Sequence, residues 1–536
     1  MKKLTLVLII AVVSATCAIG VSGITASAWD TTIDDWGLEY FSELDYGIYW
    51  YTANDNVVPT EEYTVNKNAP TMIFTHGWKP NGESKMREDL SIKGRTDSAL
   101  ASNGYEPYPY DKRFYNYYLQ QGYNVGVFYW QQFADEGLSL SVDSKIWSHD
   151  TEEKGMAYVT YDENGKGTLT KPDDETNPDK SVAVLYGEEI IKWLGNDYSG
   201  ELHLAGHSMG GQLTLAVSEY LCLLNDKGTI KDNLLPDRVT ILDPYLSNTK
   251  ITGTVTHKWE KVKDVTCAQL ASYATETIYQ HGIPIEGYGV NLGMCFRMYA
   301  TPVMSPLTNE EIQEVHETLA KNCAWIYLEG LATGKFSGFS PSHVMSVDYY
   351  YTTNNFEVTS TSDGIKVPSA RLSTDELKKL VGMTFLQTCP NNKNSLYQTD
   401  STYERVDFVT FEKVEENVFV GFVTPDREKE LTAILYDSKG KEVAEGEVDA
   451  FNRYVFGGLD KEESYTIKFF SNGLYVDEIK DITAESNGGY YEIPAKELII
   501  GNDDILFYAL IAILAVIALV VIVSIVSKIV SHAKKK

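Results

Sequence analysis

The stretch Glu201-Leu202-His203-Leu204-Ala205-Gly206-His207-Ser208-Met209-Gly210-Gly211 decides how this chain of 536 residues is read. Leu202 to Ala205 are a short apolar run between turn signals, the pattern of a buried strand. Downstream, Leu213, Ala216, Tyr220, Leu221 and Leu224 recur at helical spacing. Between the two lies Gly-x-Ser-x-Gly. A strand that turns so sharply into a helix leaves no room for a Cβ on the residues flanking the serine. Gly206, Gly210 and Gly211 meet that need. The pentapeptide alone is a weak signal, and an ordinary Gly-rich strand-to-helix turn is the plain alternative. The strand before it and the helix after it favour a nucleophile elbow with Ser208 at its apex.

Working outward, residues 71–75, 124–130 and 238–242 are further buried-strand patterns, and Val182, Tyr186, Ile190 and Trp193 share one helix face. Strands alternating with helices predict βαβ units and a mostly parallel sheet flanked by helices. Two segments interrupt the pattern. Residues 143–180 are rich in Asp, Glu, Gly and Thr and read as an exposed insertion. Residues 244–341 read as a second insertion lying over the sheet. From about Glu404 the texture changes to short, often alternating runs such as Leu431 to Tyr436 and Tyr465 to Phe470, separated by turns. That pattern predicts a β-sandwich over 402–498, behind a catalytic region over 29–395.

A serine hydroxyl is a weak nucleophile and needs a base, with a carboxylate to orient that base. In an elbow fold these follow in the order serine, acid, histidine. Arg238 to Leu242 is a buried-strand pattern ending in Asp243 and stopped by Pro244. A carboxylate there lies on the same sheet edge as Ser208, whereas Asp226, Asp237 and Asp264 sit in polar, solvated contexts. His257, His281, His316 and His343 follow Asp243 before the β region. His316 stands in a charged helical run and reads as a surface residue, and His257 and His281 fall in the second insertion. His343, on a loop after Ser340-Pro341-Ser342, is the candidate base. His203 and His207 read as structural, with the His207 side chain directed away from the site. The tetrahedral intermediate needs donors for its oxyanion. The backbone N–H of Met209 is one candidate; Trp78 N–H, in Thr75-His76-Gly77-Trp78, is the other, with His76, Gly77, Gly206 and Gly210 in support.

The chain ends carry a different message. Met1-Lys2-Lys3, an apolar run and Ala26-Ser27-Ala28 describe a signal peptide over 1–28. Residues 505–527 carry no charge and are long enough to span a bilayer as a helix. Lys528 and Lys534 to Lys536 follow, which places the tail 528–536 in the cytoplasm by the positive-inside rule. The expectation is a cell-surface, single-pass protein that partners the membrane through its C-terminal helix. The net charge is −29, with lysines at both extreme ends, so the part between is more acidic still. Such a surface repels nucleic acid, which is excluded as a partner. Of the six cysteines, Cys17 lies within the signal segment. The absence of C-x-x-C spacing argues against a zinc site, and neither a metal nor another cofactor is called for. Cys222, in an apolar helix pattern, reads as a small buried hydrophobe.

Ile73-Phe-Thr-His76-Gly77-Trp78, the strand at 124–130, Gly206-His-Ser208-Met-Gly210, Leu242-Asp243-Pro244 and His343-x-x-Ser346-x-x-Tyr349-Tyr350 together resemble the pancreatic-type lipase family, over residues 70 to 352. The resemblance implies the α/β-hydrolase fold, a Ser208–Asp243–His343 triad, an oxyanion loop at 76–78, and a lid within 250–340. It implies an acyl ester or lipid as substrate. The β region looks more like a surface-protein repeat of the fibronectin or collagen-binding type than the family's lipid-binding domain. The leading expectation is carboxylic ester hydrolysis through an acyl-enzyme. Amide hydrolysis or acyl transfer by the same triad, and an idle hydrolase serving as a cell-surface binding module, are the alternatives.

Overall fold

The computed structural model describes residues 42–52, 57–58, 63–78, 113–136, 139–150, most of 155–171, 180–247, most of 250–290, 307–328, 339–362, 364–388 and 401–408, and parts of 419–493. The chain divides into two compact units, Met1–Val414 and Glu415–Lys536. The expected signal segment 1–28, membrane span 505–527 and cytoplasmic tail 528–536 lie outside the described residues. Among the described residues no helix is long and apolar enough to cross a membrane.

The first unit is built on a ten-stranded sheet. Its strands in chain order are β1 (Gly47–Tyr51), β2 (Val57–Val58), β3 (Thr71–Thr75), β4 (Asn124–Tyr129), β7 (Leu202–His207), β8 (Arg238–Leu242), β11 (Ile285–Gly289), β12 (Cys323–Leu328), β13 (Thr384–Thr388) and β14 (Thr402–Val406). Two small hairpins stand apart from this sheet, β5 (Tyr158–Tyr161) with β6 (Gly167–Thr170), and β9 (Val255–His257) with β10 (Glu260–Val262). Across the sheet the order is β14-β13-β12-β11-β8-β7-β3-β4-β1-β2. From β13 to β4 every pairing is parallel, and β14, β1 and β2 close the edges antiparallel. β3, β4, β8, β11 and β12 are buried at every position, as continuous apolar strands covered on both faces must be.

The helices are α1 (Phe114–Gln120), α2 (Gln131–Ala134), α3 (Ser139–Trp147), α4 (Val182–Leu194), α5 (Met209–Asp226), α6 (Cys267–Gln280), α7 (Asn309–Asn322), α8 (Phe339–Thr352) and α9 (Thr374–Lys378). α4 packs on α5, α5 on α6 and α6 on α7, a row that covers one sheet face. Val239 and Ile241 of β8 belong to the core cluster on that side, with Leu213 and Val217 of α5. The period-two alternation sends Thr240 the other way, to the hydroxyl of Tyr350 on α8. There α8 packs with α1, the rings of Tyr351 and Phe114 stacking at 5.4 Å.

Three expectations about segments are corrected. The stretch 244–341 does not simply lie over the sheet: it supplies α6, β11, α7 and β12, two further helix–strand units in the centre of the fold. Glu286 and the glycines at 287 and 289 hide the strand character of β11, because the pattern of a buried strand is normally apolar throughout. Of the stretch 250–340 in which a lid is expected, residues 291–306 and 329–338 lie outside the described residues. The stretch 143–180 does not begin as an exposed insertion, since Asp143, Ser144 and Lys145 on α3 are all buried. Lys145 is paired with Glu136 and Asp143 is hydrogen-bonded by Ser247 and Gln212 inside the protein, which composition cannot reveal. Finally, the strand at 402–406 belongs to the large sheet: β14 pairs with β13 from Thr384↔Val406 to Thr388↔Thr402.

The second unit is all-β within the described residues. It has a three-stranded sheet, β18 (Arg453–Phe456), β15 (Phe419–Val423) and β21 (Tyr490–Ile493), in that order. A four-stranded sheet follows the order β17 (Glu442–Glu447), β16 (Leu431–Tyr436), β19 (Tyr465–Ser471) and β20 (Leu474–Ile482). β16 and β19 alternate buried and half-buried residues, and their inner side chains share one apolar cluster with Tyr454 and Phe456 of β18.

Candidate active site

β3 lies between β4 and β7, so the chain reverses its direction of travel across the sheet at β3 and β7. In open α/β sheets the crevice beyond the strand ends at such a point is where ligands bind. Ser208 stands at the C-terminal end of β7 and Gly77 just past that of β3.

Ser208 has φ 58° and ψ −124°, a conformation few non-glycine residues adopt. Its backbone is fixed on every side. Its N–H donates to Leu242 O at 3.0 Å, and its carbonyl accepts from Gly211 N and Tyr245 N, each at 3.0 Å. The neighbouring glycines are required by contact. A Cβ on Gly206 would overlap Gly210 O and Thr214 Oγ1, and one on Gly210 would overlap the carbonyls of Thr75 and His76. A Cβ on Gly77 would lie 2.8 Å from Ser208 Cβ and 3.3 Å from its Oγ, so the 76–78 loop sits directly against the serine. Met209 opens α5. Its N–H is among the first-turn donors that have no intrahelical acceptor.

The 76–78 loop is held from behind. His76 is buried; its Nδ1 donates to Gly77 O at 2.9 Å, and its Nε2 accepts from Trp130 N at 3.4 Å. Those partners define a single neutral tautomer, with the proton on Nδ1. The indole N–H of Trp130 donates back to His76 O at 2.9 Å. Trp78 donates its indole N–H to Glu136 O at 2.7 Å, and the Glu136 carboxylate pairs with the buried Lys145 ammonium, which also donates to Ala157 O. A buried charge is tolerated only with such partners.

Asp243, immediately after β8, is fully buried and has φ 41°. Its N–H donates to Tyr288 O at 2.6 Å. Its carboxylate is used at both oxygens: Oδ1 accepts from Val290 N at 3.1 Å, and Oδ2 lies 2.6 Å from His343 Nδ1. Asp243 and His343 are thus brought together from 100 residues apart. His343 lies within α8 rather than on a loop, as the fifth residue of that helix. Pro341 is compatible with this because the first turn of a helix needs no N–H from it.

Two histidine expectations are also reversed. His316 is buried, with its ring 6.0 Å from that of Phe408. His207 does not point away from the site: its ring lies 4.3 Å from that of His343, centroid to centroid, and its Nε2 is 3.1 Å from His343 O. His203 is structural as expected, buried with Nε2 2.7 Å from Thr240 Oγ1. Burial, and then the Arg238 charge, hold its imidazole well below the ordinary range, so it is neutral. Cys222, Cys267 and Cys323 are buried free thiols, and Cys295 and Cys389 lie outside the described residues.

The residues missed by sequence reasoning are a buried ionic group below the acid. Arg238, at the other end of β8, donates through Nε to Glu286 Oε1 at 2.8 Å and through its terminal nitrogens to Leu372 O and Ser369 O. Thr240, Tyr288 and Tyr350 also donate to the Glu286 carboxylate. Since Tyr350 is on α8, this pair ties the helix of His343 to the strand of Asp243. A glutamate inside an otherwise apolar run was the one available signal.

No protein-family model matches the sequence, and no curated protein does. Among solved structures the chain is similar to an esterase from Rhizomucor miehei, at 11% identity over 59% of this chain and 84% of that one, with a TM-score of 0.25. It is similar to a putative carboxylesterase from Lactobacillus plantarum, at 11% identity over 52% and 79%, TM-score 0.23. A thioesterase domain from the curacin biosynthetic pathway aligns at 10% identity over 53% and 89%, TM-score 0.23. Likenesses of this size say nothing about activity. The strand order, the flanking helices and the elbow of the chain itself fit the α/β-hydrolase fold.

Proposed function

We propose that this chain is a serine hydrolase of carboxylic esters, akin to the pancreatic-type lipases, with Ser208 as nucleophile, His343 as general base and Asp243 as the acid that orients it. The observation that carries this reading is the hydrogen bond of 2.6 Å between His343 Nδ1 and the buried Asp243 carboxylate, with the His343 ring lying against that of His207, the residue before Ser208. A carboxylate at Nδ1 fixes the tautomer that leaves Nε2 as the proton acceptor.

In the proposed cycle His343 Nε2 takes the Ser208 hydroxyl proton as Oγ attacks the ester carbonyl. Asp243 stabilises the resulting imidazolium, and the oxyanion is received by the N–H groups of Met209 and Trp78. His343 then gives its proton to the departing alcohol, leaving an acyl-Ser208. Water, deprotonated by the same histidine, attacks that ester and restores the serine. The reading includes export by segment 1–28, a membrane anchor at 505–527 and an Ig/fibronectin-like sandwich in the second unit, proposals that rest on sequence pattern.

The test is hydrolysis of p-nitrophenyl esters from acetate to palmitate by the full chain and by Ser208→Ala. Loss of about 10⁶-fold in kcat is expected of the variant. Preference along the series then separates a short-chain esterase from a lipase. A Ser208→Ala protein as active as the parent would overturn the proposal.

A further inference from the structure

We infer that His207 is a positioning residue for His343, so that the residue peptide-bonded to the nucleophile also aims the general base. The inference rests on the proposed triad and deepens it.

A histidine hydrogen-bonded only at Nδ1 can still tilt about that contact, carrying Nε2 along an arc away from the serine. Two contacts from His207 restrict the tilt. Its ring lies against one face of the His343 ring, 4.3 Å between centroids with the planes at 38°. Its Nε2 lies 3.1 Å from the His343 carbonyl. A carbonyl oxygen only accepts, so His207 donates from Nε2–H. Ser346 Oγ donates to the same carbonyl at 2.8 Å. The His343 residue is therefore gripped at the imidazole Nδ1, on a ring face and at its own backbone.

The source of the grip matters. His207 ends β7, and the next residue, Ser208, is fixed by hydrogen bonds to Leu242, Gly211 and Tyr245. A brace that starts one peptide bond from the nucleophile transfers that fixed position to the base. Asp243 sets which nitrogen faces the serine; His207 sets where that nitrogen is. Misplacing a reacting group by about 1 Å costs on the order of 10²-fold in rate. The loss falls on the chemical step, because His207 is not needed to hold the ester.

The experiment measures kcat and KM of the full chain on p-nitrophenyl butyrate for the parent, Ser208→Ala, His207→Ala, His207→Phe and His207→Gln. The Ala and Phe variants both delete the donor, so one remains informative if the other fails to fold. In either, kcat is expected to fall about 10- to 100-fold with KM little changed. Gln places an N–H close to where the histidine Nε2–H stands, and His207→Gln is expected to recover most of the lost kcat. A folded deletion variant with the parent's kcat overturns the inference, as does a folded His207→Gln that is no faster than the deletions. A parent that hydrolyses no ester, or a Ser208→Ala protein that still does, would sink the proposed triad itself and the role of His207 with it.

Discussion

Ser208 is held by its own backbone and by the glycines around it, whereas His343 is held by side chains gathered from distant strands. Around Ser208, the proposed nucleophile, the backbone hydrogen bonds run to Leu242, Gly211, Gln212 and Tyr245, and Gly77, Gly206 and Gly210 sit where no Cβ fits. Around His343, the proposed base, Asp243 grips the imidazole, His207 lies on its face, and the Arg238–Glu286 pair holds α8 through Tyr350. The first side is fixed by steric exclusion and the second by charge and hydrogen bonding. Damage to the one should appear in rate with little change in folding. Damage to the buried charges of the other should appear in stability.

The largest effect expected at that boundary is from Asp243→Asn. It keeps the shape but presents an amide to His343 Nδ1, and kcat should fall by about 10⁴-fold. Equal loss of kcat and thermal stability would show instead that the carboxylate is there for the fold. Gly77→Ala comes next. Its Cβ would press on Ser208 at 2.8 Å, so kcat should drop about 10²-fold while the melting temperature barely moves. A variant that loses stability but keeps its rate would reverse the assignment of the two sides.

Arg238→Met tests the opposite pole. Removing the guanidinium leaves Glu286 buried without its counter-charge, and the cost is about 3–5 kcal/mol. The check is chemical denaturation: the midpoint should fall, with kcat of the protein still folded near that of the parent.

The smallest effect concerns Asp143, which burial pushes up to about 8 despite hydrogen bonds from Ser247 and Gln212. In the fold it keeps its proton across a range where the unfolded chain has lost it. The folded state therefore binds more protons between about pH 4 and 8, and stability falls as pH rises through that window. Asp143→Asn removes the titration. Its melting temperature should gain about 2–4 °C on the parent at pH 8 relative to pH 5, and a difference independent of pH would refute the assignment.

The same contrast explains what was legible in the sequence. Steric requirements at an elbow are local, so Gly206, Ser208, Gly210 and Gly77 could be read from adjacent residues. Asp243 was legible because a strand pattern runs into it and Pro244 stops it. His343 was chosen from four histidines by its place in the chain order and its surroundings, although it stands in a helix and not on a loop. His207 could not be read, because whether a side chain meets a partner 136 residues away depends on packing. β11 was hidden because its glutamate is neutralised by an arginine on another strand. Lys145 made α3 look solvated for the same reason.

The strand order has a consequence for how the chain reaches this state. The β3–β7 pairing, Thr71↔Leu202 to Thr75↔Gly206, joins neighbours in space that are well over a hundred residues apart in sequence. The edge strand β14 is not synthesised until residue 406. Parallel pairings of such separation form slowly, because loop-closure entropy must be overcome before they are rewarded. While the polypeptide is still emerging, the apolar β3 and β4 wait with β7 absent, and their free edges are open to wrong partners. The turn at Ser208 is framed by β3, β7 and β8, so its contacts can form only once residues 71–75, 202–207 and 238–242 are all present.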